Sequence, residues 1–534
     1  MNNINNNRHS LFSVTPTQLI FLSTAFWMLF ANFSFYHALL ADYPLSENIG
    51  FLASVIIGFS GVIVLALALL CHRYTMKPLL IALFVTSAFA AYFMDSYHVL
   101  IDTDMIRNAL STDSHETTDL LSPSMLVYVL LLGVLPSLYI YRTAIRFQPL
   151  RAELWSRAKL IAATLGVMAL IFFLNSASFS SFFREHKAIR YHFNPVNYVF
   201  ATGKYISRSL KSEKKELVIL GTDAAIPKTD THRELIIMVV GETARADRFS
   251  LNGYARETNP RLKNYPVVSF TDFESCGTST AISVPCMFSH KHAAEFDVGE
   301  AKTTENVLDI LHHAGIPVLW RDNNSSSKGV ADRVTYQDYR NPDVNPVCDV
   351  ECRDEGMLVG LQDYIDAQPS GDVMIVLHQM GNHGPAYYKR YPKAFEKFTP
   401  VCRTNELSAC SEEEINNAYD NAILYTDYFL SKVIELLKAN DAKFETAMLY
   451  VSDHGESLGE NGLYLHGMPN FIAPESQRHV PVIMWVGKNF DEISYEELAA
   501  KRHQPFSHDA IFHTLLGLME VETDLYDPNL SLLE

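Results

Sequence analysis

Five long apolar runs lie in the first 180 of 534 residues, at about 19–40, 49–71, 78–94, 125–141 and 160–179, and no comparable run occurs after them. Each approaches the roughly 20 apolar residues with which a helix crosses a bilayer. A chain divided in this way needs a transmembrane domain of five helices, residues 1–180, and a separate part in water. The overall hydrophobic content of 48% suits that division. A cleaved signal peptide fits the first run poorly, because the run is long, lacks a small-residue cleavage site and leads into further spans.

The loops orient these spans. Arg8 precedes the first, Arg73 and Lys77 lie between the second and third, and Arg142, Arg146, Arg151, Arg157 and Lys159 lie between the fourth and fifth. The alternate loops are poor in base: residues 41–48 have none, and 95–124 have only Arg107 against Asp95, Asp102, Asp104, Asp113, Glu116 and Asp119. Basic loops stay on the cytoplasmic side, so the N-terminus is expected inside and, after five crossings, the C-terminal part outside.

Cysteines test that topology independently. Cys71 falls in a span, whereas Cys276, Cys286, Cys348, Cys352, Cys402 and Cys410 all fall in the part placed outside. An even number of thiols in an oxidising compartment points to disulfides. Six allow about 15 pairings, and the short separations favour Cys276 with Cys286, Cys348 with Cys352, and Cys402 with Cys410. Charge divides as well. The first 200 residues hold 12 Lys plus Arg against 10 Asp plus Glu, and the remainder 31 against 50. So acidic an outer part argues against nucleic acid as its partner.

Residues 181–231 read as a linker. Over 182–210, Phe182, Phe183, Tyr191, Phe193, Tyr198, Phe200 and Tyr205 interleave with Arg184, Lys187, Arg190, Lys204 and Arg208, a mixture suited equally to helices in the headgroup zone and to packing against the protein itself. Residues 212–231 are polar and read as a loop. From 232 to 534, short apolar runs at 235–240, 317–320, 373–377, 447–451 and 482–486 alternate with helical patterns such as 303–313 and 412–439, which predicts an α/β domain. Ligands in such folds gather beyond the carboxyl ends of the strands. Glu242 in IIMVVGETAR, His378 and His383 in VMIVLHQMGNHGP, and Asp453 with His454 in AMLYVSDHGES each come just after a run.

Carboxylate, imidazole and hydroxyl oxygen together suit a borderline divalent ion such as zinc. A carboxylate in the position of Glu242 needs a cation or an arginine, and Arg245 is the ordinary candidate. The hydroxyl comes from SCGTSTAISVPC, where Thr278, Ser279, Thr280 and Ser283 are equivalent by spacing and a Cys276–Cys286 bridge would hold the segment in one shape.

These motifs, VVGETARADRFSLNGY, SCGTSTAISVPCMFS, WRDNNSSSKG, GNHGPAYY and VSDHGESLGENGLYLHG, occur in the order found in the lipid A phosphoethanolamine transferases, and nearly the whole chain resembles that family. The family includes the mobile colistin-resistance enzymes and lies within the alkaline phosphatase and sulfatase superfamily. The resemblance implies a periplasmic catalytic domain of alkaline phosphatase/sulfatase-like fold on a multi-pass anchor in the bacterial inner membrane. It assigns one tightly bound Zn2+ to Glu242, Thr280, Asp453 and His454, with Thr280 as the nucleophile, and places His383 and His466 near the phosphoryl group or a second zinc. Asn324, Lys328 and His378 match polar substrate-pocket positions, and Asn108, Thr112 and Glu116 match contacts to the lipid headgroup. The tight Cys348–Cys352 spacing departs from the family and puts the middle disulfide in question.

The activity implied by this resemblance is transfer of phosphoethanolamine from phosphatidylethanolamine to a lipid A phosphate through a threonine-bound intermediate, by a monomer, lowering surface charge and with it sensitivity to polymyxins and colistin. A transferase of glycerol phosphate, or of phosphoethanolamine to another glycan, would use the same residues. A membrane-tethered metal-binding receptor would have no use for a nucleophilic hydroxyl among its ligands. A sulfatase needs a Cys-X-Pro-X-Arg type motif, which neither CGTST nor CMFSH supplies.

Overall fold

The computed structural model describes residues 13–112, 114–212 and 216–534, so Arg8 and Asp113 lie outside the described residues. It divides into two compact units, Met1–Ile106 with Leu121–Tyr205, and Arg107–Leu120 with Ile206–Glu534.

The first unit is helical. Helices α1 (Pro16–Phe30), α2 (Phe33–Asp42), α3 (Leu45–Leu70), α4 (Met76–Ser96), α5 (Pro123–Arg142) and α6 (Leu150–Leu174) carry the five apolar runs, except that the fifth is cut at Asn175 and its last residues, 176–179, open a separate helix, Ser176–Glu185. Four of these, α3 to α6, are long and apolar enough to cross a membrane. The first run differs from expectation, because α1 and α2 are two helices bent by 62° that together make a fifth candidate. The bend has a local cause. Asn32, at the break, turns its side-chain amide onto the Trp27 carbonyl at 3.0 Å, an oxygen that the Ala31 N–H also meets at 2.9 Å, so the last turn of α1 is capped by a side chain where a straight helix would run on. Asn194 completes the knot: its backbone N–H donates to Asn32 Oδ1 at 2.9 Å, and its amide donates to the carbonyls of Ala31 and Ser87 at 3.1 and 3.0 Å.

Because Asn194 is 1% exposed, no water replaces what its side chain provides. Asn194→Ala leaves the Ala31 carbonyl without its donor, whereas Ser87 lies inside α4, and is expected to cost about 1–3 kcal/mol. Thermal unfolding of the detergent-purified chain should show a midpoint lowered by several degrees.

Helix α6 starts ten residues before the fifth apolar run, since its first turns carry Arg151, Glu153 and Arg157. Its apolar half is exposed at Leu165, Leu170, Phe172 and Phe173, as expected of a helix facing hydrocarbon. The linker aromatics divide between the two readings. Phe182, Phe193 and Tyr198 are buried, Phe182 and Phe193 within the core of the first unit, whereas Phe183 and Phe200 are exposed. The side chains of Arg184 and Lys187 lie outside the described residues.

The second unit is built on a seven-stranded sheet. Its strands are β1 (Glu234–Gly241), β2 (Val268–Phe270), β3 (Val318–Asp322), β4 (Thr335–Asp338), β5 (Val373–His378), β6 (Glu445–Ser452) and β7 (Val482–Val486), ordered β2-β7-β6-β1-β5-β3-β4. Strands β6, β1, β5, β3 and β4 run parallel, and β7 is antiparallel to both neighbours. Every residue of β1 is buried. Ile236, Met238 and Val240 pack into one core and Leu235, Ile237 and Val239 into the other, so both faces of the sheet are covered.

The short edge strands β2 and β4 escape the apolar-run reading. The latter, TYQD, is largely exposed and has no hydrophobic alternation. The helix expected over 303–313 begins only at Val307, because Asn306 caps it in a reciprocal pair with Asp309. Among the other helices of this unit are α7 (Thr280–Met287) and α8 (Glu412–Asn440), the second of which starts where expected, on a Ser411–Glu414 capping box. All three short-range disulfides are formed, Cys348–Cys352 included, and Cys71 is free and buried.

Candidate functional site

Four parallel strands deliver side chains to one end of the sheet. Glu242 comes directly after β1, Asp453 and His454 come after β6, His378 ends β5, and Asp322 ends β3, with Asn323 and Asn324 next along the chain. Glu242, Asp453 and His454 are completely or almost completely buried and offer ligand atoms within 4.8 Å of one another. The fourth component comes from outside the sheet. Helix α7 begins with Thr280, whose Oγ1 lies 3.3 and 3.5 Å from the two Glu242 oxygens and 3.4 Å from His454 Nε2.

Each of these groups is held by its backbone neighbours. Asp453 Oδ1 accepts from Thr243 N at 3.0 Å and His454 N at 2.8 Å, while its Oδ2 has no hydrogen-bond donor among the described residues. The Gly455 carbonyl, 2.8 Å from His454 Nδ1, can only accept, so the ring proton sits on Nδ1 and the Nε2 lone pair faces the carboxylates. The turn demands glycine at 455, where a Cβ would stand 2.1 Å from the Ser476 carbonyl oxygen. Asn324 bridges two strand ends, its amide donating to Glu242 Oε2 at 2.8 Å and to the Gln379 carbonyl at 2.7 Å.

The nucleophile segment is fastened at several points. The Cys276–Cys286 bridge ties the loop to its helix, Ser283 Oγ accepts from Gly277 N at 3.1 Å, and Thr278 exchanges hydrogen bonds with the His466 loop, at Gly467 N (2.8 Å) and the Met468 carbonyl (2.6 Å). Among the hydroxyls that spacing leaves equivalent, only Thr280 meets the buried carboxylates.

Electrostatics mark the place as a cation site. Burial and the charge of Glu242 drive the Asp453 carboxyl well above its usual range. Burial would raise Glu242 too, but His454 and His383 outweigh it and hold that carboxyl below its usual range. Burial, then His466, lowers the His454 imidazole to about 3. Two carboxylates this close and this deep cannot both be charged without a positive partner. Arg245 is not that partner, since its guanidinium is spent on Asp247 and Glu460. The orphaned Asp453 Oδ2 and the mixed oxygen and nitrogen donors fit a divalent ion.

The other expected residues divide. The His466 ring lies tilted by 46° against His454, with centroids 4.3 Å apart, and meets His383 edge-on at 6.2 Å. Its Nδ1 lies 3.3 Å from Glu456 Oε1, a buried carboxylate the sequence reading passes over although it sits in the same DHGES motif. Lys328 donates to the Ser325 carbonyl at 2.9 Å, one residue from Asn324. His378 is 0% exposed and pairs through Nδ1 with Asp322 Oδ2 at 3.0 Å, beside Trp320. Asn108 and Thr112 belong to the segment 103–112, where Thr112 Oγ1 donates to the Asn108 carbonyl at 2.8 Å, outside the set around Thr280. The side chain of Glu116 lies outside the described residues.

Residues 234–521 match the sulfatase family model, and residues 59–210 match the family described as phosphoethanolamine transferase EptA/EptB. The chain is 44% identical to phosphatidylethanolamine transferase Mcr-1 of Escherichia coli, over 96% of each sequence. It is 40% identical to phosphoethanolamine transferase EptA of Salmonella typhimurium, covering 93% of this chain and 92% of that one. Among solved structures, the integral membrane lipooligosaccharide phosphoethanolamine transferase A from Neisseria meningitidis matches with a TM-score of 0.94 and 32% identity, over 98% of both chains.

Proposed function

The chain belongs to the EptA/EptB phosphoethanolamine transferase family, and from that premise we propose that it moves phosphoethanolamine from phosphatidylethanolamine to a phosphate of lipid A, on the periplasmic side of the inner membrane, through a phosphoethanolamine ester of Thr280. The observation that carries this reading is the approach of the Thr280 hydroxyl to Glu242 and His454, within 3.5 Å, in a pocket with no other use for a buried alcohol. The chain carries the sulfatase fold without a Cys-X-Pro-X-Arg type motif, so sulfate ester cleavage is not its reaction.

Glu242, Asp453, His454 and Thr280 would hold zinc, which supplies positive charge to acidify the hydroxyl and to neutralise the phosphoryl oxygens. Thr280 Oγ1 loses its proton to solvent and attacks the donor phosphorus; the Oγ–P bond forms as the P–O bond to glycerol breaks. Diacylglycerol leaves, its oxygen taking a proton from the facing pair His383 and His466. An oxygen of the lipid A phosphate then attacks the same phosphorus; the new P–O bond forms as the Oγ–P bond breaks, Thr280 takes a proton back from solvent, and solvent reprotonates the histidine pair. Glu456 would fix the orientation of the His466 ring through its contact with Nδ1. The product gains an ammonium group, which weakens the attraction of cationic peptides such as polymyxins and colistin.

Asn324 is the positioning residue to test first. It touches Glu242 by one hydrogen bond, and loss of such a contact behind a metal ligand typically lowers metal affinity by about 10–100-fold. Asn324→Ala should therefore need more zinc for half-maximal turnover while keeping its rate at saturating zinc; an unchanged zinc titration would remove Asn324 from the centre. The transfer itself is tested by mass analysis of lipid A from cells with and without the protein, which should differ by one phosphoethanolamine increment.

A further inference from the structure

The same sheet gathers carboxylates at its opposite end, where the transfer reaction has no use for them. Glu234 begins β1, Glu445 begins β6, and Glu492 lies in the segment after β7; each offers an oxygen within 4.8 Å of the others. Asp230 and Asp372 form a second such group with the same Glu234. Glu234 is 0% exposed, and among the described residues neither of its oxygens has a hydrogen-bond donor. Both oxygens of Glu492 and Oδ2 of Asp372 are likewise buried and undonated.

The bases nearby do not relieve this. Arg233, next to Glu234, donates to the carbonyls of Gly371 and Gln368 at 2.7 and 3.0 Å and stacks its guanidinium 4.2 Å above Phe444. His232 stands with Nδ1 3.0 Å from Glu445 Oε1 and donates its backbone N–H to Asp230 Oδ1 at 2.9 Å, reaching neither Glu234 nor Glu492. Glu445 Oε2 accepts from Asp491 N at 3.1 Å. What remains is a ring of acceptors facing acceptors. One proton relieves one such pair, whereas one divalent ion relieves several oxygens together.

We propose that Glu234, Glu445 and Glu492 bind a structural divalent cation of the calcium type, with Asp230 and Asp372 adding to its negative surroundings. The donors are carboxylate oxygens only, which suits a hard ion of high and flexible coordination number rather than the nitrogen-containing set at the other end. Bound there, the ion joins the starts of two central strands to the segment after β7, where like charges would otherwise push them apart.

The test uses the full-length chain in detergent, with micromolar zinc present throughout so that the Thr280 centre is unaffected. Equilibrium dialysis against radiolabelled calcium should give the wild type one more bound equivalent than Glu234→Gln. Its first thermal transition should rise by about 5 °C or more at roughly 100-fold excess over half-saturation, and that rise should vanish in the variant. Glu492→Gln, at the partly exposed side of the cluster, gives the same comparison if Glu234→Gln accumulates poorly. Calcium uptake equal in the wild type and Glu492→Gln, or no saturable uptake and no thermal shift in the wild type, overturns the site.

Discussion

Thr280→Ala should abolish transfer while leaving the protein folded. Removing a nucleophile that acts together with its neighbours typically lowers turnover by about 10³–10⁶-fold. The side chain lost is small, and the segment that carries it stays fastened by the Cys276–Cys286 bridge and by the hydrogen bonds of Thr278 and Ser283. The thermal midpoint should therefore move little. Incubated with phosphatidylethanolamine and no acceptor, the wild type should yield a peptide containing Thr280 with the added mass of phosphoethanolamine, and the variant should not. Thr280→Ser keeps the attacking oxygen and should retain measurable activity. Full activity in the alanine variant, with no adduct in the wild type, would remove the covalent step and leave only direct transfer between the two lipids.

The second large effect concerns charge at the same centre. Dialysis against a strong chelator should reduce turnover by about 10³-fold, corresponding to the several kcal/mol that a bound metal supplies at a phosphoryl group. Added zinc should restore it. Asp453→Asn separates charge from architecture, because an amide oxygen at the Oδ1 position still accepts from Thr243 N and His454 N. That variant should stay folded, lose bound zinc in elemental analysis, and lose activity to about the same extent as the chelated wild type. Loss of activity with zinc content unchanged would instead assign Asp453 to substrate rather than metal.

The parts of the fold legible in the sequence are those where one face, or both, must be apolar. The strands that lie in the middle of the sheet announce themselves as unbroken runs, and so do the membrane-type helices, because burial or lipid leaves no room for polar alternation. Strand β4 is held by its partner's backbone at an exposed edge, so its composition TYQD carries no signal. The break at Asn32 is equally silent in hydropathy: one asparagine in an apolar run reads as tolerated, and its role appears only when Asn194, 162 positions away, comes beside it.

At the candidate site, strand ends locate Glu242, Asp453 and His454, since a polar residue directly after a buried run has few other reasons to be there. Spacing does not choose Thr280 among its hydroxyl neighbours, because that choice depends on where helix α7 lands against β1 and β6. Glu456 escapes for a similar reason. Two residues beyond His454, it reads as part of a turn, and its service to His466 depends on how the later loop folds back. His378 shows the converse. A strand-end histidine suggests a substrate contact, and its partner is Asp322 on the adjacent strand.

The three disulfides join cysteines only 10, 4 and 8 positions apart. Tethers that short keep each thiol in the company of its own mate, at high effective concentration, even before any tertiary structure exists. Correct oxidation then requires no prior folding and little reshuffling by an isomerase. Each bridge can close as soon as its few residues meet an oxidising compartment, so the sheet assembles from a chain whose cross-links are already right.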